Sequence, residues 1–324
     1  MIRRFSLSDF NRLKSLWKGD PFPIFFEQGW LTRTLDSGYL SFANRGFYLT
    51  YWQNNQLLAV FPITYRKLFF KLIMMPYLTP YLGCVFKDAE EPGSHRLEKH
   101  GKIFGEFLDY LAAQNYFWIF YSFDPEFMNL QEAIWRNLHV ELRYTYLHSH
   151  PENVTSTLAA DLKSDLRFAE KSGIVTEISL VWEEFLDLWE ATLSRQNVRR
   201  IGKGVFKSLI CWLFREDRAF LCLSRNEELQ SGCLILRDNG KYYYLAGADR
   251  RKIRGSGTRS LMLALQHAAS QSASFDFEGS MIPGIAHYFR KFGGELIPYY
   301  SLMHPLIKIL LYLKRYISVS GKNM

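Results

Sequence analysis

The sequence repeats a piece of itself. At a constant shift of 154 residues, segment 120–148 lies over 274–302 and places Phe123 on Phe277, Asp124 on Glu278, Arg136 on Arg290, Glu141 on Glu295, Leu142 on Leu296 and Tyr146 on Tyr300. The identities are few, but strand, helix and strand patterns follow in the same order and register. Duplication is the economical reading, and it restricts the chain to two copies of one module. The 324 residues, 48% of them hydrophobic, suffice for two such cores. The expected domains are 1–150 and 151–324, with Pro151 opening the second.

The pattern around the repeat mixes strands and helices. The first half offers strands at "GFYLTYW", "LLAVFPITYR" and "KLIMMPYL", then a helix over 97–114 with Phe104, Phe107, Leu108 and Leu111 at helical spacing. Strand "FWIFYSF", helix "NLQEAIWRNL" and strand "VELRYTYLH" follow. In the second half, "NVTSTLAADLKSDLRFAEKSG" reads as one helix stopped by Gly173. Helix "VWEEFLDLWEATLSRQ", basic loop "NVRRIGKG" and helix "VFKSLICWLFRE" lead to strands "AFLCLS", "QSGCLILRD" and "GKYYYLAGA". The fold class is α/β (α+β).

Charge and cysteine usage narrow the partners. A formal net charge of +8 favours an anionic partner. Cys84, Cys211, Cys222 and Cys233 form no CxxC pair, and His148 and His150 read as surface histidines, so no disulfide framework or metal site is expected. The N-terminus is charged throughout and lacks the apolar core of a signal peptide. No apolar run is long enough to span a bilayer, and the expected location is cytoplasmic. The tail "HPLIKILLYLKRYISVSGK" is basic and amphipathic, which suggests peripheral contact with the inner face of a membrane or docking on the body.

Two stretches carry candidate chemistry. In "YYYLAGADRRKIRGSGTRSLMLALQHAA" a strand enters a glycine-containing basic loop and then a helix. Gly255 and Gly257 free the backbone amides of residues 254–258 to face an anion, the helix adds its positive dipole end, and Lys252 and Arg254 add charge. The loop lacks the lysine-serine ending of a P-loop and the full dinucleotide fingerprint. The second stretch is "FDFEGSMIPGIAHYFRKFGG", where Asp276 and Glu278 share one face of a strand. An unpaired buried carboxylate costs roughly several kcal/mol, so acids there need partners or a task. Glu278 stands at the strand's C-terminal end, where open α/β sheets place ligands. Ile285, Tyr288, Phe289 and Phe292 form an apolar helix side read as core, with Arg290 and Lys291 solvated. Tyr242, Tyr243 and Tyr244 read as strand packing.

These residues carry a resemblance. The order of strand "YYYLAGA", loop "RRKIRGSG", helix, strand "FDFEG" and helix "GIAHYFRKFGG" resembles the GNAT acyltransferase superfamily. More narrowly, "DFEGS" at 276–280, "YFRKFG" at 288–293 and "PYY" at 298–300 are similar to the branch related to Fem-type peptidoglycan aminoacyltransferases, with "DLKSDLRFAEKSG" and "ATLSRQNVRR" extending the likeness over roughly 151–302. The resemblance implies two tandem GNAT-like domains, each a mixed, mostly antiparallel sheet flanked by helices. It also implies acyl transfer from acetyl-CoA or another acyl-CoA to an amine bound between the domains. The donor's pyrophosphate would rest on the loop Lys252, Arg254, Gly255, Ser256, Gly257 and Thr258, an N–H near Leu245 or Ala246 would hold the oxyanion, and Glu278, with Asp276, would take the amine proton. The tyrosine that often donates a proton in that superfamily falls at Phe289, and Tyr288 is its neighbour about 100° away on the helix. Fem-type relatives take aminoacyl-tRNA instead, a donor that Arg199, Arg200 and Lys203 would suit. The acceptor class implied is an amine-bearing small molecule or a cell-wall or polysaccharide precursor. A third expectation is a non-catalytic module held at a membrane by the tail.

Overall fold

A computed structural model describes residues 1–36, 43–87, 93–196, 202–279 and 281–303. The described chain forms two compact units, one of residues 1–143 with 299–303 and the other of residues 144–298. The expected boundary at 150 therefore moves into a strand, and the last strand returns to the first unit.

The first unit begins with β1 (Ile2–Ser6), α1 (Phe10–Leu16) and α2 (Gln28–Leu35). Strands β2 (Asn44–Gln53), β3 (Gln56–Lys67), β4 (Lys71–Met74) and β5 (Val85–Phe86) precede helix α3 (Gly93–Ala113). Then come β6 (Tyr116–Ser122), α4 (Gln131–Trp135) and β7 (His139–His148), within which the chain leaves this unit. The second unit contains α5 (Val154–Thr157), α6 (Ala160–Lys171), β8 (Val175–Ser179), α7 (Glu183–Arg195) and α8 (Lys203–Arg215). It continues through β9 (Ala219–Asn226), β10 (Glu228–Asp238), β11 (Lys241–Asp249), α9 (Ser256–Ser270), β12 (Ser274–Asp276), α10 (Pro283–Arg290) and β13 (Glu295–Met303).

The two sheets share one plan. In the first unit β1, β2, β3 and β4 are antiparallel neighbours, β4 pairs with β6 in parallel, and β6 pairs antiparallel with the end of β13. In the second, β8, β9, β10 and β11 are antiparallel neighbours, β11 pairs with β12 in parallel, and β12 pairs antiparallel with the end of β7. The 154-residue shift holds in the hydrogen bonding. Ser122 stands opposite Ser301 as Asp276 stands opposite Leu147, and the Phe123 N–H donates to the Tyr300 carbonyl as the Phe277 N–H donates to the Tyr146 carbonyl. The final strand of each sheet comes from the other copy of the repeat.

Aromatic residues of the strands and of α3 build the first core. The Phe61 ring lies 5.9 Å from Phe104, 5.7 Å from Phe107 and 5.6 Å from Tyr121. The second core packs α9 and α10 on the sheet through Leu261, Leu265, Phe275, Phe277, Phe289 and Phe292. The expected single helix at 153–173 is broken instead. Leu158 leaves helical geometry, and the Ala159 N–H donates to the Lys291 carbonyl at 2.9 Å. Nearby, Gly293, with φ of +83°, approaches Thr157 so closely that a Cβ would lie 2.3 Å from its hydroxyl oxygen. No helix among the described residues is long and apolar enough to cross a membrane.

The end of β13 belongs to the first unit, so a cavity there should loosen that unit. Leu302, fully buried, is expected to cost about 2–5 kcal/mol when changed to Ala. Hydrogen exchange should then accelerate in β6 while β9 and β10 keep their protection; the reverse pattern would contradict the strand exchange.

Candidate functional site in the second unit

The parallel ladder between β11 and β12 is short. Pairing runs through Lys241 opposite Ser274, Tyr242 opposite Phe275 and Tyr243 opposite Asp276, and then stops. Asp276 explains the stop. Its carboxylate is 1% exposed and accepts the Thr145 hydroxyl at 2.6 Å and the Glu278 N–H at 2.8 Å. These bonds curl the chain back on itself, and Glu278 and Gly279 take left-handed φ values of +56° and +58°. Such conformations do not continue a strand. A Cβ on Gly279 would lie 2.3 Å from the Tyr144 carbonyl oxygen, so this turn needs glycine for both space and conformation.

Beyond Tyr243, β11 runs on without β12. A β-bulge frees its backbone further: Leu234 faces Ala246 and Ile235 faces Tyr244, leaving Leu245 without an opposite residue on β10. The bulge shifts the alternation, so that Tyr244 and Gly247 share a face. The Tyr244 hydroxyl lies 1.8 Å from where a Gly247 Cβ would stand. The parted strands, the start of α9 and α10 enclose an open cleft of about 1090 Å³.

The expected residues converge there. Leu245, Ala246, Lys252, Arg254, Gly255, Ser256, Gly257, Thr258, Glu278 and Tyr288 all line this cleft. Asp276 does not, and acts from behind by fixing Glu278. Gly255 precedes α9 with φ of +82°, and a Cβ there would fall 2.1 Å from the Asp165 carbonyl oxygen of α6. Glycine alone permits this approach, which sets the first turn of α9 against the cleft. The amides of that turn have no intrahelical acceptors and carry the positive end of the helix dipole.

The loop's charges are more engaged than the sequence suggests. Lys252 Nζ pairs with Glu228 at 2.8 Å, and Arg254 Nε with Asp165 at 2.6 Å. Asp249 adds a carboxylate beside the helix start, accepting the Arg251 N–H at 2.8 Å. The cleft-lining Arg195 donates to the Asp249 carbonyl at 2.7 Å, while the Arg251 side chain makes no ion pair among the described residues.

Glu278 is the anomaly. Its Oε1 is buried without a hydrogen-bond partner among the described residues. Burial, reinforced by the Asp276 carboxylate, pushes its carboxyl well above the usual range. Tyr288 places its hydroxyl 3.3 Å from Thr258 Oγ1, and burial raises its pKa so that it stays a neutral donor. Tyr244, read as packing from the sequence, also lines the cleft, with its pKa raised first by burial and then by neighbours including Asp249 and Glu278. Its only sequence signal was its place three residues before Gly247.

Other expectations change. His148 is 5% exposed rather than a surface residue, and its Nε2 bonds the Phe292 carbonyl at 3.1 Å, whereas His150 is exposed. Phe289 and Phe292 are core, but Ile285 is 41% exposed and lines the cleft with Tyr288. Lys291 pairs with Asp161 instead of standing free in solvent. Lys203 is held by Asp187 and Glu190. Arg199, Arg200, Ser280 and the basic tail from His304 lie outside the described residues.

The raised Glu278 pKa has a thermodynamic signature. Well below about pH 4, Glu278 is protonated folded or unfolded and its ionisation costs nothing. As pH rises past the unfolded value towards the raised folded one, the unfolded chain ionises first and stability falls. Glu278→Gln should therefore melt higher than the parent at neutral pH, with the gap closing as pH falls towards 4. A melting difference independent of pH would contradict this assignment.

No protein-family model matches this sequence, and no curated protein does either. Solved structures do match. The crystal structure of FemX superposes with a TM-score of 0.62 over 95% of this chain and 99% of that one, at 14% identity. The C-terminal domain of a putative lysylphosphatidylglycerol synthetase from Agrobacterium fabrum gives 0.53 over 96% of each chain at 11% identity. L-PGS from Bacillus licheniformis gives 0.51 over 89% of this chain and 95% of that one at 14% identity. With its two sheets of one plan, the chain shares the fold of FemX and of these two synthetase structures.

Proposed function

We propose that the second unit is an N-acyltransferase that moves an acyl group from acyl-CoA to an amine on a small molecule or on a cell-wall or polysaccharide precursor. The observation that carries this reading is the cleft itself: two parallel strands part at Tyr243 and Asp276, the cleft meets the amide-bearing first turn of α9, and Glu278 stands there with its buried Oε1 lacking a hydrogen-bond partner among the described residues. The fold shared with FemX, together with the Fem-type resemblance of the sequence, supports the class.

The residues suit these tasks. Gly257 and Thr258 offer amides to an anionic group, and a Cβ at Gly257 would meet only ordinary contacts, with Ser231 Oγ at 3.5 Å and Asp249 Oδ2 at 4.0 Å. When bound, acyl-CoA supplies an activated thioester carbonyl. The bulge at Leu245 presents strand backbone to the place where negative charge develops on a carbonyl oxygen. Glu278 takes the proton that an attacking amine must lose, and its raised pKa brings it nearer the working pH of a general base. Tyr288 holds a neutral hydroxyl beside Thr258, able to give a proton to a leaving group.

A second reading rests on one observation. Asp249, Glu228 and Asp165 already engage the loop, which lowers its appeal to a pyrophosphate. An aminoacyl-tRNA presents an ester without a pyrophosphate at that point, and FemX and the two synthetases are among the similar structures.

Calorimetric titration with acetyl-CoA and longer acyl-CoAs separates the two. Binding is expected, and its absence for every chain length, with transfer of a labelled amino acid from charged tRNA, would favour the second reading. Under either, Glu278→Gln should lower kcat/KM by about 10²–10⁴. The parent's rate should rise with pH through the elevated Glu278 pKa, and the variant should lose that limb; an unchanged profile would remove Glu278 from the base role.

A further inference from the structure

The first unit carries a surface feature that the acyl-transfer reading does not use. Strands β3 and β4 are joined by Leu68, Phe69 and Phe70, and the Leu68 N–H donates to the Phe70 carbonyl at 3.0 Å. This three-residue connection is tight and its conformation fixed. It presents Leu68 at 46%, Phe69 at 101% and Phe70 at 61% exposure. Phe70 leans on Phe117 of β6, itself 40% exposed, with ring centroids 5.5 Å apart. Three adjacent apolar side chains on one projecting turn, backed by a fourth, exceed the scattered apolar exposure usual on a soluble surface.

Cations surround them. Lys67 stands directly opposite Lys71 in the ladder, and Arg66 and Arg45 occupy the same end of the sheet. Like charges directly opposite one another cost stability. Lys71 answers by turning its ammonium to the Gln114 carbonyl at 2.9 Å and over the Tyr116 ring at 4.7 Å. No acid is supplied by the sequence from Ser37 to Lys87, which contains five Lys and Arg and no Asp or Glu. The turn is therefore convex, apolar at its tip and cationic at its shoulders.

We propose that this turn is a contact for an anionic phospholipid surface, with Phe69 and its neighbours at the level of the headgroups and acyl boundary, and Lys67, Arg66 and Arg45 facing lipid phosphates. Aromatic rings suit that boundary because they pair an apolar body with tolerance of water, and long basic side chains keep their heads in the polar layer. Each cation near an anionic leaflet adds to the attraction within a Debye length. A small convex tip favours a deformable lipid surface over a groove in a protein. The inference stands independently of the cleft chemistry.

Co-sedimentation of the full chain with vesicles tests it, using phosphatidylcholine alone and an equal mixture with phosphatidylglycerol. Binding is expected to the mixed vesicles and to weaken with salt. Phe69→Ser, at a side chain wholly in solvent, should leave the circular dichroism and melting temperature unchanged and weaken vesicle binding about tenfold. Lys67→Gln should weaken it and reduce its salt dependence. The proposal is overturned if the parent does not bind mixed vesicles, or if Phe69→Ser binds them as the parent does. It is equally overturned if the parent self-associates through Phe69 and binds no vesicle.

Discussion

A buried carboxylate ends a β-ladder, and the cleft follows from that. Asp276 is almost wholly out of solvent, which is tolerable for a charge only when donors surround it. It finds them in the Thr145 hydroxyl and the Glu278 amide. The second bond reaches two residues along its own chain and forces the left-handed turn at Glu278 and Gly279. Strand β12 cannot continue, β11 does, and a cleft opens between them. The same turn aims the Glu278 carboxyl into that cleft, where burial raises its pKa. Strain, shape and acid–base character thus share one origin, as expected where local stability is given up for a task.

The first copy of the repeat shows what happens without that carboxylate. Its counterpart of Asp276 is Ser122, whose hydroxyl bonds Ser301 at 2.9 Å. There the ladder is not interrupted in the same way. The Met75 N–H donates to the Phe120 carbonyl, the Leu82 N–H to that of Ser122, and the Asp124 N–H to that of Leu82. Leu82 forms a parallel bridge with Phe123 beyond the end of β4, and Tyr81, 1% exposed, packs against Tyr299. One plan thus continues past the ladder's end in one copy and parts into a cleft in the other.

Much of this was legible in the residues because repetition fixes register. The shift that lays Phe123 on Phe277 and Tyr146 on Tyr300 also lays one hydrogen bond of the sheets on the other, although the alignment gave no sign of the bonds themselves. The glycine loop was legible for a similar reason, since Gly255 serves a backbone approach that a side chain would block. What the residues concealed depends on partners distant in sequence. Lys252 and Arg254 looked like free anion ligands, but Glu228 and Asp165 are 24 and 89 residues away. Tyr244 looked like packing because a period-2 pattern cannot reveal a bulge that turns one residue over. Likewise, nothing in the pattern tells that β7 and β13 finish each other's sheets, because either register satisfies the same alternation.

The central claim is that the parting of β11 and β12 receives an activated acyl donor. A crystal structure with a non-hydrolysable acyl-CoA analogue addresses it most directly. The acyl carbonyl is expected within hydrogen-bond reach of the β11 backbone at Leu245 or Ala246, with phosphate oxygens on the amides of Gly257 and Thr258. An analogue bound outside this cleft, or a cleft closed by Tyr244 and Tyr288 with the analogue elsewhere, would contradict it.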